Sequence, residues 1–133
     1  MIPKIVHLFA CFYGATAVIL GALGAHWLKS KVDSAQMTNL QLESFKTGVH
    51  YQLIHAVVLL IAGLYAEKLA GNLFNSAVIS FIIGVFFFSG SIYILSTKDL
   101  WGIQNLKWLG PITPLGGLLM IIGWILLALA YKK

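Results

Sequence analysis

The chain is poor in nearly everything a soluble protein displays at its surface. Only 10% of its 133 residues are charged, against about 25% in ordinary soluble domains. All nine basic residues are lysines, and there are four acidic residues, three prolines and one cysteine. Each shortage excludes something. The lone Cys11 excludes an intrachain disulfide and any Cys-x-x-Cys motif. Four scattered acids make no cluster for a hard cation. Dispersed lysines without arginine forks are not the concentrated basic face of a nucleic-acid binder, so the net charge of +5 reads as anchoring at a membrane interface.

Catalytic signatures are missing too. Phe88-Ser89-Gly90-Ser91 lacks the spacing of a nucleophile elbow, and no aspartate accompanies a histidine within the apolar segments. Gly21-Ala22-Leu23-Gly24 lies inside an apolar run rather than after a strand, so it is no dinucleotide fingerprint. The expectation is a non-enzyme with no catalytic residues, no metal and no cofactor.

What is present is apolar length. Hydrophobic residues make up 59% of the chain and the mean hydropathy is +0.89. Segments 5–28, 47–66, 73–95 and 111–131 approach or exceed the roughly 20 residues that cross a hydrocarbon core. The connections 29–46 and 96–110 are too short to bury a core of their own. These features predict an all-α membrane protein, residues 1–133 forming one domain of four antiparallel transmembrane helices with both termini on one side. Lys4 and the small residues Ala22-Leu23-Gly24 give the first segment a look of a signal peptide, but its apolar run is too long and it reads as an uncleaved span. Lys4, Lys68, Lys132 and Lys133 on the terminal side balance Lys29, Lys31, Lys46, Lys98 and Lys107 on the other, which leaves orientation open.

Local signals add detail. Asp33 and Ser34 are read as caps of a short interfacial helix through Leu40, Leu42 and Phe45, either separate from the second span or merged with it. Gly71, Asn72 and Asn75 predict a tight turn. Trp101 and Trp108, with Tyr65, Phe74 and Tyr131 opposite, read as interface belts. Pro111 and Pro114 fit the start of a helix. Small residues recur at helical spacing as Ala10, Gly14, Ala17, Gly21, Gly24 and Ala25, as Ser80, Gly84 and Ser91, and as Gly116 and Gly123. Such faces serve close packing within the bundle or, alternatively, a homo-oligomer seam.

The polar residues inside the spans are the best pointers to function, because hydrocarbon offers them no water. Antiparallel threading brings His26, Tyr51, Gln52, Ser89, Ser91, Tyr93 and Thr113 into the half of the membrane away from the termini. His55 goes deeper, about 12 Å below the Thr47 end. His50 and His55 diverge by roughly 140° around their helix, so they do not chelate one metal as an i, i+4 pair would. Glu43, Thr47 and His50 form a shallow face; Tyr51, Gln52 and His55 form the face expected to meet His26 and the serines of the third span. His7, near Lys4, is assigned to the opposite interface.

The blocks Gly21-Ala22-Leu23-Gly24-Ala25-His26, Thr47-Gly48-Val49 with Tyr51-Gln52 and His55-Ala56, Phe88-Ser89-Gly90-Ser91-Ile92-Tyr93, Gly110-Pro111-Ile112-Thr113-Pro114 with Gly116-Gly117, and Gly123-Trp124 touch all four spans. As a set they resemble the YgdD/YwdK-like small integral membrane proteins, catalogued as domain of unknown function 423, with relatives in bacteria and animal mitochondria. The resemblance implies a four-helix protein of the bacterial cell membrane and includes His26, Tyr51, Gln52 and His55 in the shared pattern, but it supplies no activity. Three functional readings follow. The polar cluster packs the bundle or holds a small ligand or lipid; it lines a proton or solute pathway in an oligomeric transporter; or it belongs to a haem or metal redox protein. Membrane lipids are the expected partners in any of them.

Overall fold

A computed structural model describes residues 2–69 and 71–131. The described residues contain helices and turns and no strand. Helix α1 (Ile2–Leu23) runs through a π-helical turn (Gly24–Leu28) into the short α2 (Lys29–Asp33). Helices α3 (Asn39–Leu64) and α4 (Asn72–Thr97) follow, then two 3₁₀ turns (Lys98–Trp101 and Lys107–Leu109) and α5 (Ile112–Tyr131). Among the described residues, four helical stretches are long and apolar enough to cross a membrane: Lys4–Asp33, Asn39–Leu64, Asn72–Trp101 and Lys107–Tyr131. Lys132 and Lys133, counted above among the terminal-side lysines, lie outside the described residues.

The segment between the first two spans differs from the expected capping. Asp33 ends α2, with its carboxylate paired to Lys29, and Ser34 follows as the C-cap. Ala35 then turns the chain at a φ of 58°. The cap of the next helix is Thr38: its Oγ1 accepts from the Gln41 backbone N–H at 3.2 Å while Gln41 Oε1 accepts from the Thr38 N–H at 2.8 Å. This reciprocal pair satisfies two helix-end donors that a bare terminus would leave open. The helix through Leu42 and Phe45 is therefore the first part of α3, the merged alternative, and no cap interrupts it before Leu64. Gln41 Nε2 also donates to Asp99 Oδ2 at 2.5 Å, fastening the start of α3 to the turn after α4.

Extensive packing joins α1 to α3, α3 to α4 and α4 to α5. On the α1–α3 seam, His7 lies against Gly63, Gly14 faces Ala56, Gly21 faces Val49 and Gly24 faces Phe45. The first three pairs step by seven residues in opposite directions, the spacing that keeps two helices in contact when they cross at a shallow angle. Leu28 continues the step and is fully buried with Met37, Leu42 and Phe45. His7 is thus half-buried on α3 rather than simply interfacial. Phe74, expected at the boundary, is also buried, in the main core with Val78, Phe81 and Val85.

The α4–α5 seam is closer still. A Cβ at Gly116 would lie 2.4 Å from the Phe88 backbone N, and one at Gly84 would lie 3.0 Å from the Gly116 carbonyl oxygen. Neighbouring backbones cannot step aside as a side-chain tip can, so glycine is required here for contact itself. Gly123 admits the Phe81 ring in the same way. Gly116→Ala should lower stability in detergent by about 3 kcal/mol, at the upper end for overpacking. Gly90→Ala, where an added Cβ meets nothing within 4 Å, should be neutral or stabilise by up to about 1 kcal/mol. Equal thermal unfolding of the two variants would contradict the seam.

Candidate functional site

The polar residues of the spans meet in three places. The central one is the Gln52 carboxamide, buried between α1 and α4. Its Nε2 donates to the Tyr13 carbonyl at 2.9 Å and to Thr16 Oγ1 at 2.7 Å, and its Oε1 accepts from the Tyr93 hydroxyl at 2.7 Å. The Tyr13 carbonyl can only accept and the Tyr93 hydroxyl occupies the other end, so the orientation of the amide follows from its partners. Thr16 passes its own proton back to the Phe12 carbonyl at 2.7 Å. Around this knot, Tyr13 donates to the Ile82 carbonyl at 2.7 Å and Ser89 donates to the Gly48 carbonyl at 2.7 Å. The latter contact depends on the missing Cβ of Gly48, which would lie 2.9 Å from the Tyr93 ring.

The second place joins α4 to α5, where the Ser91 and Thr113 hydroxyls are 2.7 Å apart and Ser91 also reaches the Phe88 carbonyl at 3.0 Å. The third is His55. Its Nδ1 lies 2.8 Å from the Tyr51 carbonyl, and its Nε2 lies 3.3 Å from the indole Nε1 of Trp124 on α5. A carbonyl only accepts and an indole N–H only donates, so His55 is the neutral imidazole with its proton on Nδ1. Phe81 packs edge-on to Trp124, with centroids 5.5 Å apart, and 5.4 Å from the His55 ring. Gln52 and His55, placed together on one face from the sequence, are therefore held by different neighbours: Gln52 by α1 and α4, His55 by α4 and α5.

Two expected members stand apart. Tyr51 contributes its carbonyl to His55 and rests against the Phe88 ring at 4.9 Å, but its side chain is exposed. His26 is exposed on the π turn. It lies five residues beyond Gly21, about 140° away from the packed face, and the antiparallel register sets it level with the Phe45 region, about 15 Å along the axis from His55. Its expected meeting with His55 therefore does not occur. Tyr13, Thr16 and Trp124 were missed. Thr16 is a hydroxyl three residues from Tyr13 within the first apolar span, and that spacing was the available signal; for Trp124 the signal was its place in the Gly123-Trp124 block. Among the described residues, no three His, Cys, Asp or Glu side chains converge as metal ligands would.

A family model described as "Protein of unknown function (DUF423)" matches residues 20–117, which include Gln52, His55, Ser89, Ser91, Tyr93 and Thr113. The chain belongs to this family. Among its relatives, the UPF0382 membrane protein YwdK of Bacillus subtilis is 39% identical over 118 residues, covering 88% of this chain and 87% of the relative. The UPF0382 membrane protein SAB0533 of Staphylococcus aureus is 39% identical over 88% of this chain and 86% of its own length. A Staphylococcus haemolyticus relative, SH2409, is 37% identical over 85% and 83%. No solved structure matches the chain. This DUF423 protein is thus a membrane protein with four apolar helices among its described residues, akin to bacterial membrane proteins of unknown function.

The Gln52 knot makes a quantitative prediction. Gln52→Leu takes away the acceptor of the Tyr93 hydroxyl and the donor to the Tyr13 carbonyl and should cost about 2 kcal/mol, while Tyr93→Phe should cost about 0.6 kcal/mol, the usual worth of one interhelical bond in a membrane. The double variant should lose less than the sum, because each change removes the other's partner. Strict additivity in detergent unfolding would show that the two side chains do not meet.

Proposed function

We propose that this DUF423 protein is a non-enzymatic membrane protein, set in the bacterial cell membrane with both termini on one side, whose polar cluster fastens the bundle rather than performing chemistry. The observation that carries this reading is complete pairing. Among the described residues, no buried side-chain nitrogen or oxygen lacks a hydrogen-bond partner within the protein. A site built to bind a polar ligand leaves a buried donor or acceptor over for its occupant. Gln52, Ser89, Ser91 and Thr113 have partners on neighbouring helices, and both nitrogens of His55 are engaged. The small residues Gly14, Gly21 and Gly116 are likewise taken up by contacts inside the chain, so a homo-oligomer would use other surfaces.

The transport reading makes the opposite prediction about His55. Purified protein in liposomes should show proton and small-solute flux no greater than that of empty liposomes. His55→Leu should lower the unfolding temperature, through loss of the Trp124 and Tyr51 contacts, without altering flux. Flux above background in the native protein that His55→Leu abolishes would overturn the fastening proposal. A coloured or metal-containing preparation by absorbance and elemental analysis would overturn it in favour of a redox protein.

A further inference from the structure

Because packing runs from α1 to α3 to α4 to α5, helices α3 and α5 meet near His55 and Trp124 and diverge beyond them. A groove of about 600 Å³ opens there toward the lipid, lined by Val58, Ala62 and Tyr65 on one side and Trp124, Ala128 and Tyr131 on the other. Its volume falls within the range of small-molecule sites, roughly 300–1,000 Å³. From Trp124 to Tyr131 the groove follows seven residues of helix, about 10 Å, which lies within one leaflet of a hydrocarbon core about 30 Å thick. Its inner end is closed by the paired indole of Trp124. Its outer end, at Tyr131 and Leu69, runs into a second pocket of about 480 Å³ that has a different character, with Lys68, Gly71 and Asn72 in its lining.

The charge at this outer end has one sign within the lining. The Lys68 ammonium stands 5.8 Å from the centre of the Tyr65 ring, at the mouth of the groove. Glu67 is exposed beside it in sequence but does not line either pocket. The first turn of α4 adds donors, since Gly71 caps that helix without a side chain and early helical N–H groups have no partner within the helix. An apolar slot lying within one leaflet that ends at a lysine and amide donors at the membrane boundary matches one kind of occupant. We propose that the groove between α3 and α5 holds one acyl chain of a bilayer phospholipid, with the lipid phosphate at Lys68 and Asn72. The groove touches the polar network only at Trp124, which closes its inner end.

The test compares two lipids with the same acyl chains, phosphatidylglycerol and diacylglycerol, which differ in the anionic phosphoglycerol headgroup. Each is added to the purified full chain in detergent, and the fraction of protein retaining one lipid is measured by mass spectrometry of the intact protein. The native protein should retain phosphatidylglycerol about fivefold better than diacylglycerol, the factor for one lysine at a membrane surface. Lys68→Glu should remove that preference, and Ala128→Trp, which fills the groove, should lower retention of both. Equal retention of the two lipids by native protein, or unchanged preference in Lys68→Glu, would overturn the headgroup assignment; unchanged retention in a folded Ala128→Trp protein would overturn the groove. Circular dichroism establishes folding. Should Ala128→Trp fail to fold, Ala128→Leu narrows the same slot with a smaller side chain and is read in the same way.

Discussion

A polar side chain inside a membrane must find its partners in the protein, and in this chain the Gln52 carboxamide is where that constraint binds hardest. One amide offers two N–H donors and a carbonyl acceptor, and here they reach the Tyr13 carbonyl, Thr16 and Tyr93. Those partners sit on α1 and α4, so a single side chain on α3 sets the relative position of three helices. Apolar packing alone would specify this less sharply, because lipid tails compete equally well for apolar faces and provide no hydrophobic drive for helices to associate.

The hydrogen bonds depend in turn on glycine. Ser89 reaches the Gly48 carbonyl where the missing Cβ of Gly48 leaves room for the Tyr93 and Ile92 side chains of α4. The same logic governs α4 and α5, where Gly84 and Gly116 bring the backbones within range of the Ser91–Thr113 bond. Glycine carries an entropic cost inside a helix, about 1 kcal/mol relative to alanine. Close van der Waals contact over the seam and short bonds from shielded hydroxyls offset it. Small residues and polar residues therefore act as one device: the first permits the approach that the second requires.

The same arrangement explains why the surface is uneven. Helices joined in series leave a gap wherever the ends of the series diverge, and α3 and α5 diverge below the His55–Trp124 contact. The aromatic cluster of His55, Phe81 and Trp124 closes the inner end of that gap, so the deepest histidine of the chain belongs both to the fastening of the bundle and to the boundary of its groove. Complete internal pairing and an open lipid-facing slot are compatible because they occupy different depths, the His55–Trp124 bond closing the inner end of the α3–α5 groove and the groove lying beyond it.

Length and hydropathy determined the four spans without tertiary information, since crossing hydrocarbon demands about 20 apolar residues whatever the neighbours. Helical period was equally legible in the small-residue face of α1, and the same period applied to His26 places it off that face. The sequence also marked Gln52, Ser89, Ser91, Tyr93 and Thr113 as residues needing partners, because their chemistry is incompatible with lipid. It did not say which partners. Asp33 and Thr38 both have a glutamine three residues on, but Asp33 and Ser34 close α2 and the turn at Ala35 separates them from the next helix, so Thr38 became the cap; Phe74 turned inward because the core of α4 extends to its first turn. Register and rotation between helices are properties of pairs of surfaces rather than of any one segment. For that reason only the tertiary structure separated Gln52 from His55, joined Tyr13 and Thr16 to the network, and opened the groove between α3 and α5.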